Sequence, residues 1–356
     1  MSEQDPFSST GHPGVPELRA DERYYLNAAQ YFSDAPELIQ TWEGLRRDAA
    51  SQPENPSRVV LRTIVSDAVL AEMRSVPYSH LLEVAVPLGH ELGRGDSNLV
   101  YLGQNDPGRQ PLVPIEQIKA ETASSRAMKK APEQRIHDAI DAGTTITTTV
   151  SPEDYQGLHE LWEKFGWVRD ETRDQVAEFA QALEADQAYA KNFGPETRKL
   201  WFSGVRHEGQ LVAAAMGERL PLQDREGEID LVESTEWSVK AGHNRNGYVA
   251  AALVALNAQI LHDLESSPNG RPLIFAECNF MNRADLTGNS VGMAIPSRAY
   301  ADQILPQNVT VADGKEPPGL RDFNLMILPR SIQETYYTPA QNARMLSTIM
   351  VNSKQA

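Results

Sequence analysis

The chain has 356 residues, of which 40% are hydrophobic and 23% are charged, a composition typical of a globular protein. This length predicts a large core and two domains or lobes. With 49 acidic against 33 basic residues, the formal net charge of −16 argues against a nucleic-acid partner, because nucleic-acid binders usually carry a basic footprint.

Targeting and redox signals favour a cytoplasmic protein. No apolar run approaches the roughly 18 residues that a membrane helix needs, so we expect no membrane association. The N-terminal sequence MSEQDPFSSTGHPG has neither the basic start nor the apolar run of a secretory signal. Cys278 is the single cysteine, so no internal disulfide can form. One thiol and eight scattered histidines predict no metal site.

The first 140 residues contain no familiar motif. Residues 1–20, rich in Ser, Pro, Gly and acids, are predicted to be disordered. Residues 20–50 have apolar positions at a helical spacing and predict a helix. Strands are predicted over residues 57–65, 81–87 and 98–102, and a polar helix over residues 115–140. We interpret residues 21–140 as a separate N-terminal region of unknown fold.

The second half of the sequence is more regular. A β-branched strand is predicted over residues 144–150, followed by a helix with Ser151 as its N-cap and Pro152 as its first residue. Helices are predicted at 171–185, 247–264 and 282–291, and strands at 199–206, 211–219, 229–239, 273–278, 309–311 and 323–328. This alternation over residues 141–333 predicts an α/β domain, and residues 334–356 are expected to be a polar tail with at most one helix.

Residues 229–264 combine a strand, a polar turn with one glycine, and a long helix. Because strand side chains alternate, Glu236 falls on the polar face. The other face carries Glu233 among mainly apolar residues: Ile229, Leu231, Thr235, Trp237 and Val239. A carboxylate among apolar neighbours loses hydration, which suits it to act as a general base. The alternative is a glutamate at a strand edge that is exposed to water.

The turn before the helix is suited to hold a phosphate. Gly247 allows a close approach or a positive φ, and Arg245 adds a cation. The first backbone N–H groups of the helix would face an incoming anion, with help from the helix dipole. One helix face is apolar and belongs to the core: Val249, Leu253, Leu256, Ile260 and Leu264. The alternative is an ordinary strand-to-helix junction.

This arrangement resembles the GNAT N-acetyltransferase superfamily over about residues 141–333. Motif A of the superfamily reads Gln/Arg-x-x-Gly-x-Gly/Ala. The matching segment here is Asn244-Arg245-Asn246-Gly247-Tyr248-Val249, in which only Gly247 is a strict match. Among members of the superfamily, AGHNRNGY and the closing segment are most similar to bacterial beta-lysine N-acetyltransferases.

A second part of the resemblance follows the strand at 273–278. Asn282-Arg283-Ala284 leads to Gly292-Met293, in place of the usual Gly-Phe. Gly288 stands where the superfamily commonly has the tyrosine that acts as general acid. The resemblance implies a GNAT-like α/β fold with a mixed sheet, to which residues 21–140 add an N-terminal α/β region.

The resemblance also implies an N-acyltransferase that moves an acetyl or related acyl group from acyl-CoA to the amine of a small molecule or amino acid. The amine would attack the thioester directly in a ternary complex. Glu233 is implied as the base, because it stands 11 positions before Asn244, as the catalytic glutamate of histone-type members precedes their motif A glutamine. Tyr300 is a candidate general acid, and a homodimer is a possible assembly.

Further site residues follow from the same resemblance. Backbone N–H groups at residues 237–239 would hold the pantetheine. The residues implied to contact acetyl-CoA are Trp237, Ser238, Val239, Asn244, Arg245, Asn246, Gly247, Tyr248, Val249 and Asn282. Glu277 and Glu236 are candidates for the acceptor side, and a structural role for Glu277 is equally open. Cys278 is interpreted as a core thiol rather than a nucleophile.

Two other interpretations stay open. The same fold could use an acyl carrier protein or an aminoacyl-tRNA as donor, although the acidic composition argues against tRNA. A GNAT-like lobe could also bind CoA or a metabolite without catalysis. The departures from motif A and the missing tyrosine motivate this last interpretation.

Overall fold

The computed structural model describes residues 16–18, 23–52, 58–75, 78–79, 81–103, 128, 130–163, 174–279, 287–288, 290–294, 303–304, 307–311 and 319–355. Two β-sheets and the helices that cover the rest of their faces form the core, and the second sheet contains both parallel and antiparallel pairs. This confirms the predicted α/β class with a mixed sheet. No helix within these ranges is long and apolar enough to cross a membrane.

The N-terminal lobe contains a six-stranded sheet in the order β1-β2-β3-β5-β4-β11. Its strands are β1 (Glu17–Leu18), β2 (Arg23–Phe32), β3 (Arg58–Ser66), β4 (Leu82–Pro87), β5 (Ser97–Gly103) and β11 (Gln303–Ile304). Strands β2 and β3 run parallel, and the other pairs are antiparallel. The strands predicted at 57–65, 81–87 and 98–102 are confirmed.

The prediction of one helix over residues 20–50 is wrong in its first half, which forms β2. Both faces of β2 are buried, so its apolar residues do not alternate, and pairing with β1 and β3 outweighs the helical spacing. The second half is helix α1 (Ala35–Ala50). Asp34 caps α1 by accepting a hydrogen bond from the Glu37 N–H at 3.0 Å, and Trp42 is fully buried against the sheet. Two short helices follow, α2 (Asp67–Met73) and α3 (Leu88–Leu92).

The second lobe contains a seven-stranded sheet in the order β12-β13-β10-β9-β8-β7-β6. Its strands are β6 (Thr144–Thr147), β7 (Leu200–His207), β8 (Gln210–Asp224), β9 (Gly227–Val239), β10 (Leu273–Asn279), β12 (Gln307–Val311) and β13 (Gly319–Ile327). Only β9 and β10 pair in parallel among these neighbours. Each strand predicted between residues 144 and 328 overlaps one of these seven.

The helices of the second lobe are α4 (Pro132–Asp141), α5 (Tyr155–Trp162), α6 (Gln175–Phe193), α7 (Tyr248–Asp263), α8 (Arg330–Tyr336) and α9 (Pro339–Gln355). The predicted helix at 115–140 is described only from residue 132 onward as α4, and most of the predicted helix at 282–291 lies outside the described residues. The C-terminal segment differs from the expected polar tail. It forms two helices, and Met345 and Ile349 of α9 are buried in the same core as α7.

The two sheets pack face to face, and the strand period decides which side chains meet there. Val60 and Ile64 of β3 contact the second sheet, where Leu231 and Phe275 belong to the same apolar cluster. The same alternation places Arg62 of β3 on this inner face, opposite β9 and β10. Helices α5 and α6 cover the remainder of that face of the second sheet.

Helix α7 covers the outer face of the second sheet. Almost every residue of α7 is buried, because α4 and α9 pack on the sides that the sheet leaves free. Its run Ala250-Ala251-Ala252 is small enough for a close approach to the strands. The first turn of α7 is therefore held in a fixed position at the end of β9.

Candidate active site

Strand β9 loses one of its two neighbours halfway along its length. Residues 231–233 pair with residues 273–275 of β10, and Glu233 opposite Phe275 is the last pair. Strand β9 continues to Val239, but in the part of the chain that the structure describes these last six residues pair only with β8. Meanwhile β10 follows β13 as far as Asn279. The two parallel strands thus separate, and a gap opens between them after Glu233.

A β-bulge at Glu236 marks this opening. Ser238 pairs with Ala214 and Thr235 pairs with Met216, so β9 has two residues where β8 has one. Glu236 has a φ of +55°, a conformation that costs a residue with a side chain about 1–2 kcal/mol. The indole of Trp162 on α5 donates a hydrogen bond to the Glu236 carbonyl at 3.0 Å. The bulge is therefore held from the neighbouring helix.

The bulge corrects the predicted faces of β9. Trp237 and Val239 were expected beside Glu233, but both pack against the cluster around α7, on the opposite face. The extra residue reverses the alternation, and the Trp237 indole donates to the Ser234 hydroxyl at 2.9 Å. Ser238 correspondingly turns toward α5, where its hydroxyl donates to the Leu161 carbonyl at 2.6 Å.

The backbone N–H of Val239 faces the gap. The Lys240 N–H donates to the Val212 carbonyl on β8 at 2.8 Å. Because successive backbone groups of a strand point to opposite sides, the N–H of Val239 points away from β8. This donor lies on the side that β10 occupies upstream, where it can bind an extended ligand.

The turn after β9 opens directly into α7. Gly247 is the N-cap with a φ of +79°, and no side chain caps the helix. Arg245 also has a positive φ, of +77°, and residues 244–247 are exposed. The first helical hydrogen bond runs from the Ala251 N–H to the Gly247 carbonyl at 3.0 Å. The N–H groups of residues 248–250 thus lie at an accessible, uncapped N-terminus, which is suited to an anion.

Tyr248 is buried at the start of α7, and Val249 is half-buried. The Tyr248 ring stacks on His207 with 5.9 Å between ring centroids and lies 6.0 Å from His243. These contacts anchor the first turn of α7 to β7. Tyr248 therefore supports the turn by packing, and the exposed side chains of the segment are Asn244, Arg245 and Asn246.

Glu233 is buried, with only 3% of its side chain exposed, so it is not the water-exposed glutamate of the alternative interpretation. Its Oε2 accepts a hydrogen bond from Nη1 of Arg62 at 2.9 Å, and Glu277 Oε1 accepts one from Nη2 of the same guanidinium at 2.6 Å. The Tyr25 hydroxyl donates to both carboxylate oxygens of Glu277 at 3.0 Å. The two carboxylates thus share one cation from the N-terminal lobe. Sequence analysis did not identify Arg62 or Tyr25.

Electrostatics keep the Arg62 guanidinium charged. Burial by itself lowers the pKa of Arg62, but Glu233, Tyr101 and Glu277 outweigh it and raise that pKa well above the ordinary value. Burial also raises the pKa of the Tyr101 hydroxyl well above its ordinary value. Arg62 therefore remains a cation and Tyr101 a neutral phenol at any physiological pH.

The remaining predicted residues lie on or near the gap, or outside the described residues. Glu236 is half-buried at the bulge. Asn282, Tyr300 and the side chain of Cys278 fall outside the described part of the structure. Gly288 is described, and a Cβ there would lie 2.8 Å from Met326 Sδ and 3.3 Å from Trp237 Cζ3. This packing explains why no tyrosine side chain can occupy position 288 without a rearrangement.

Within the described ranges, no group of three or more His, Cys, Asp or Glu side chains could hold a metal ion. The chemistry that the described site offers is a buried carboxylate pair, backbone N–H donors along the gap, and an anion-binding turn.

No family model matches the sequence, and no curated protein matches it. Solved structures do match part of the fold. The putative acetyltransferase yncA from Salmonella typhimurium, with its cofactor acetyl-CoA, is 15% identical, with 52% of this chain and 94% of that chain covered and a TM-score of 0.36. RimJ from Mycobacterium smegmatis in complex with CoA-disulfide is 12% identical, with 58% and 90% covered and a TM-score of 0.35.

The aminoglycoside acetyltransferase AAC(6')-Ib in complex with coenzyme A is 15% identical, with 55% of this chain and 99% of that chain covered. Its TM-score is 0.34. TM-scores at this level assign no function to the chain.

Proposed function

We propose that the protein is an acyl-CoA-dependent N-acyltransferase of GNAT type, which moves an acetyl or related acyl group to the amine of a small molecule or amino acid. The observation that carries this proposal is that residues 234–239 of β9 pair with β8 but not with β10 in the described part of the chain. This segment opens a gap at a bulge, presents backbone donors to that gap, and ends at the uncapped N-terminus of α7. Acyl-CoA has the matching chemistry. The amides of its long arm can pair with the backbone donors along the gap, and its pyrophosphate can bind at the N-terminus of α7.

The donor would lie along the gap. The pantetheine amides would pair with the backbone of residues 237–239, as an added strand does at a sheet edge. The pyrophosphate would accept hydrogen bonds from the N–H groups of residues 248–250, with Gly247 providing the positive φ of the turn. The side chains of Asn244, Arg245 and Asn246 are exposed around this position and would contact phosphate or water. Asn282 stays a proposed contact.

The reaction would proceed without a covalent enzyme intermediate. The amine nitrogen attacks the thioester carbonyl carbon, a new C–N bond forms, and the C–S bond breaks to release CoA. Glu233 would accept the proton that the amine loses, directly or through a water molecule, and the thiolate of CoA would take up a proton from Tyr300 or from solvent.

The acceptor side of the proposal rests on Glu277 and Glu236. Both lie beside the gap, Glu277 on β10 and Glu236 at the bulge. Their carboxylates would attract an amine that arrives as a cation. Similarity to beta-lysine N-acetyltransferases in AGHNRNGY favours an amino acid as acceptor, and a homodimer is proposed as the assembly.

A second candidate function is acyl-CoA binding without catalysis. The buried ion pair of Glu233 with Arg62 favours it, because a carboxylate held in this way can serve the structure alone. The two candidates differ in turnover. An acyltransferase releases CoA thiol when acetyl-CoA is mixed with free amino acids and polyamines, whereas a binding protein does not.

Calorimetric titration of acetyl-CoA tests the donor site. Gly247→Ala forces a side chain into a φ of +79°, and the resulting shift of the turn should weaken acetyl-CoA binding about tenfold, or ~1.4 kcal/mol. Gly270→Ala is the matched control, since Gly270 has a φ of +88° in an exposed turn beyond the other end of α7. Equal affinity in both variants would contradict the placement of the pyrophosphate. A wild-type protein that does not bind acetyl-CoA would overturn the proposed function.

A further inference from the structure

Arg62 lies at the centre of a buried cluster that joins the two lobes beside the gap. Its side chain is fully buried in the middle of β3. The guanidinium carbon lies 4.8 Å from the ring centroid of Tyr101, 5.1 Å from that of Phe275 and 5.4 Å from that of Tyr25. Aromatic faces at these distances attract a cation and hold the planar group in place.

The guanidinium fixes two carboxylates at once. Each Nη atom donates to a different glutamate, Glu233 on β9 and Glu277 on β10. These strands separate at this level, since Glu233 opposite Phe275 is their last pair. The Glu277 side chain is only 5% exposed although the residue is half-buried, so its exposure lies mainly on the backbone that borders the gap. Arg62 thus connects β9 and β10, the strands on either side of the gap, from the side of the first sheet.

Stability alone does not account for this cluster. A buried ion pair is often no more stabilising than apolar residues of similar volume, because two charges must lose their water. Arg62 Nε and the Tyr101 hydroxyl also have no hydrogen-bond partner among the described residues, and each unsatisfied buried group costs about 1–3 kcal/mol. Apart from this cluster the face is apolar, so hydrocarbon side chains in place of Arg62, Glu233 and Glu277 together would suit the core.

A second inter-lobe arginine provides a comparison. Arg94, between α3 and β5, pairs with Asp224 at 3.1 Å and donates to the carbonyls of Glu228 and Asn269. It joins the same two lobes at the edge of their interface, with 12% of its side chain exposed. Its partners lie at the opposite end of β9 from the gap. Arg94 therefore represents an inter-lobe contact with a structural role.

We infer that Arg62 is a positioning residue of the proposed acyl-transfer site, through which the N-terminal lobe completes the acceptor side. It holds the Glu233 and Glu277 carboxylates in fixed orientations at the point where β9 and β10 separate. The two carboxylates share this one guanidinium. This inference rests on the proposed function. It assigns to the N-terminal lobe a part in the reaction rather than in folding alone.

The test compares full-length Arg62→Met, Arg62→Lys and Arg94→Met with the wild type. The assay follows CoA thiol released from acetyl-CoA in a mixture of free amino acids and polyamines, and calorimetry gives the affinity for acetyl-CoA. For Arg62→Met we expect kcat to fall about 10²-fold, within the range for a general base that is lost or misplaced. Acetyl-CoA affinity should be unchanged. Arg62→Lys keeps the positive charge but loses the planar guanidinium that binds two carboxylates at once. Its kcat should therefore lie between those of the wild type and Arg62→Met.

A pH profile separates positioning from structure. Without the cation, two adjacent carboxylates cannot both stay ionised, so the acidic limb of kcat for Arg62→Met should move to higher pH by about 1–3 units. Arg94→Met should lower the melting temperature but leave kcat and the acidic limb as in the wild type. If Arg62→Met does not fold, Arg62→Lys carries the test through its kcat.

Wild-type kcat in either Arg62 variant would overturn the inference. A loss of kcat in Arg62→Met with an unmoved acidic limb would overturn it too, because such a loss reflects structure only. These results are distinct from failure of the proposed function, in which the wild-type protein releases no CoA with any amine and the inference fails with it.

Discussion

Strand β9 has two segments that differ in what lies beside them. Residues 231–233 pair with β8 on one side and β10 on the other, while residues 234–239 pair with β8 alone in the described part of the chain. The first segment belongs to the closed core between the sheets. The second borders a gap that leads to the N-terminus of α7. One continuous strand thus serves both the fold and the proposed site.

The difference depends on the local backbone rather than on hydrophobicity. The bulge at Glu236 adds one residue to β9, turns Trp237 and Val239 toward α7, and is held by the Trp162 indole. Glu233 stands at the boundary, where the last pair with β10 ends. A functional carboxylate at this boundary gains both the rigidity of the first segment and the access of the second.

The largest expected effect is on Glu233. Replacement by Gln keeps the shape but removes the proton acceptor, so kcat for acetyl transfer should fall about 10²–10⁴-fold. Glu228→Gln is the matched control, because Glu228 lies on β9 but is exposed at its start. Steady-state kinetics with acetyl-CoA and the best amine of a mixture measure both variants. Full activity in Glu233→Gln would refute its role as the base.

A smaller effect is expected at Asp154, which holds the start of α5 and so supports the helix that carries Trp162. Asp154 accepts hydrogen bonds from Arg206 Nε at 2.8 Å and from the Ser151 N–H at 2.9 Å. Burial raises the pKa of Asp154, but Arg206 and Ser151 outweigh burial and hold the pKa below its ordinary value. Asp154→Asn should therefore lower the free energy of unfolding at pH 7 by about 1.5–3 kcal/mol.

The sign of the pH dependence follows from the lowered pKa. A carboxyl whose pKa is lower in the folded state stabilises the fold above its unfolded value of about 3.9 and loses this contribution as the pH falls further. The difference in the free energy of unfolding between wild type and Asp154→Asn should therefore shrink below about pH 4. Urea unfolding at several pH values measures this difference, with Glu163→Gln, at an exposed position just after α5, as control. If this difference in the free energy of unfolding stayed constant across pH, the ion pair between Asp154 and Arg206 would not be its cause.

The smallest expected effect concerns the backbone of Val239. Proline at this position removes the N–H that faces the gap but no hydrogen bond to β8, since Lys240 makes the neighbouring bond. Loss of one hydrogen bond to the donor should weaken acetyl-CoA binding by about 1 kcal/mol, roughly fivefold. Calorimetry against Val239→Ala isolates the backbone contribution from the side chain. Unchanged affinity in Val239→Pro would place the pantetheine elsewhere.

Much of this arrangement is predictable from local sequence. Alternation places Glu233 on the face with mainly apolar residues. The glycine turn predicts a helix from Gly247, one residue before α7 begins, because both predictions depend on neighbouring residues. Strand parity gives a partial indication for Arg62, which stands between Val60 and Ile64 on the same face of β3 and is therefore a cation between two apolar residues. Its partner Glu233 lies 171 positions away, which no local pattern can connect.

Two other features could not be predicted, for different reasons. Strand β2 is buried on both faces, so its sequence has no alternation to distinguish it from a helix. The bulge depends on a positive φ at Glu236, a residue type that gives no sign of that conformation. Only the register of β8 against β9 reveals the bulge. The same register shows that Trp237 and Val239 lie on the opposite face from the predicted one.

Hydrogen exchange of the backbone amides, with and without saturating acetyl-CoA, tests the division of β9 most directly. We predict that acetyl-CoA slows exchange at Trp237 and Val239 and in the first turn of α7, at residues 248–250. Exchange at residues 231–233 should stay as it is, because those residues already pair on both sides. Bound acetyl-CoA that leaves residues 237–239 and 248–250 unprotected, or that protects a different surface, would contradict the proposed donor site.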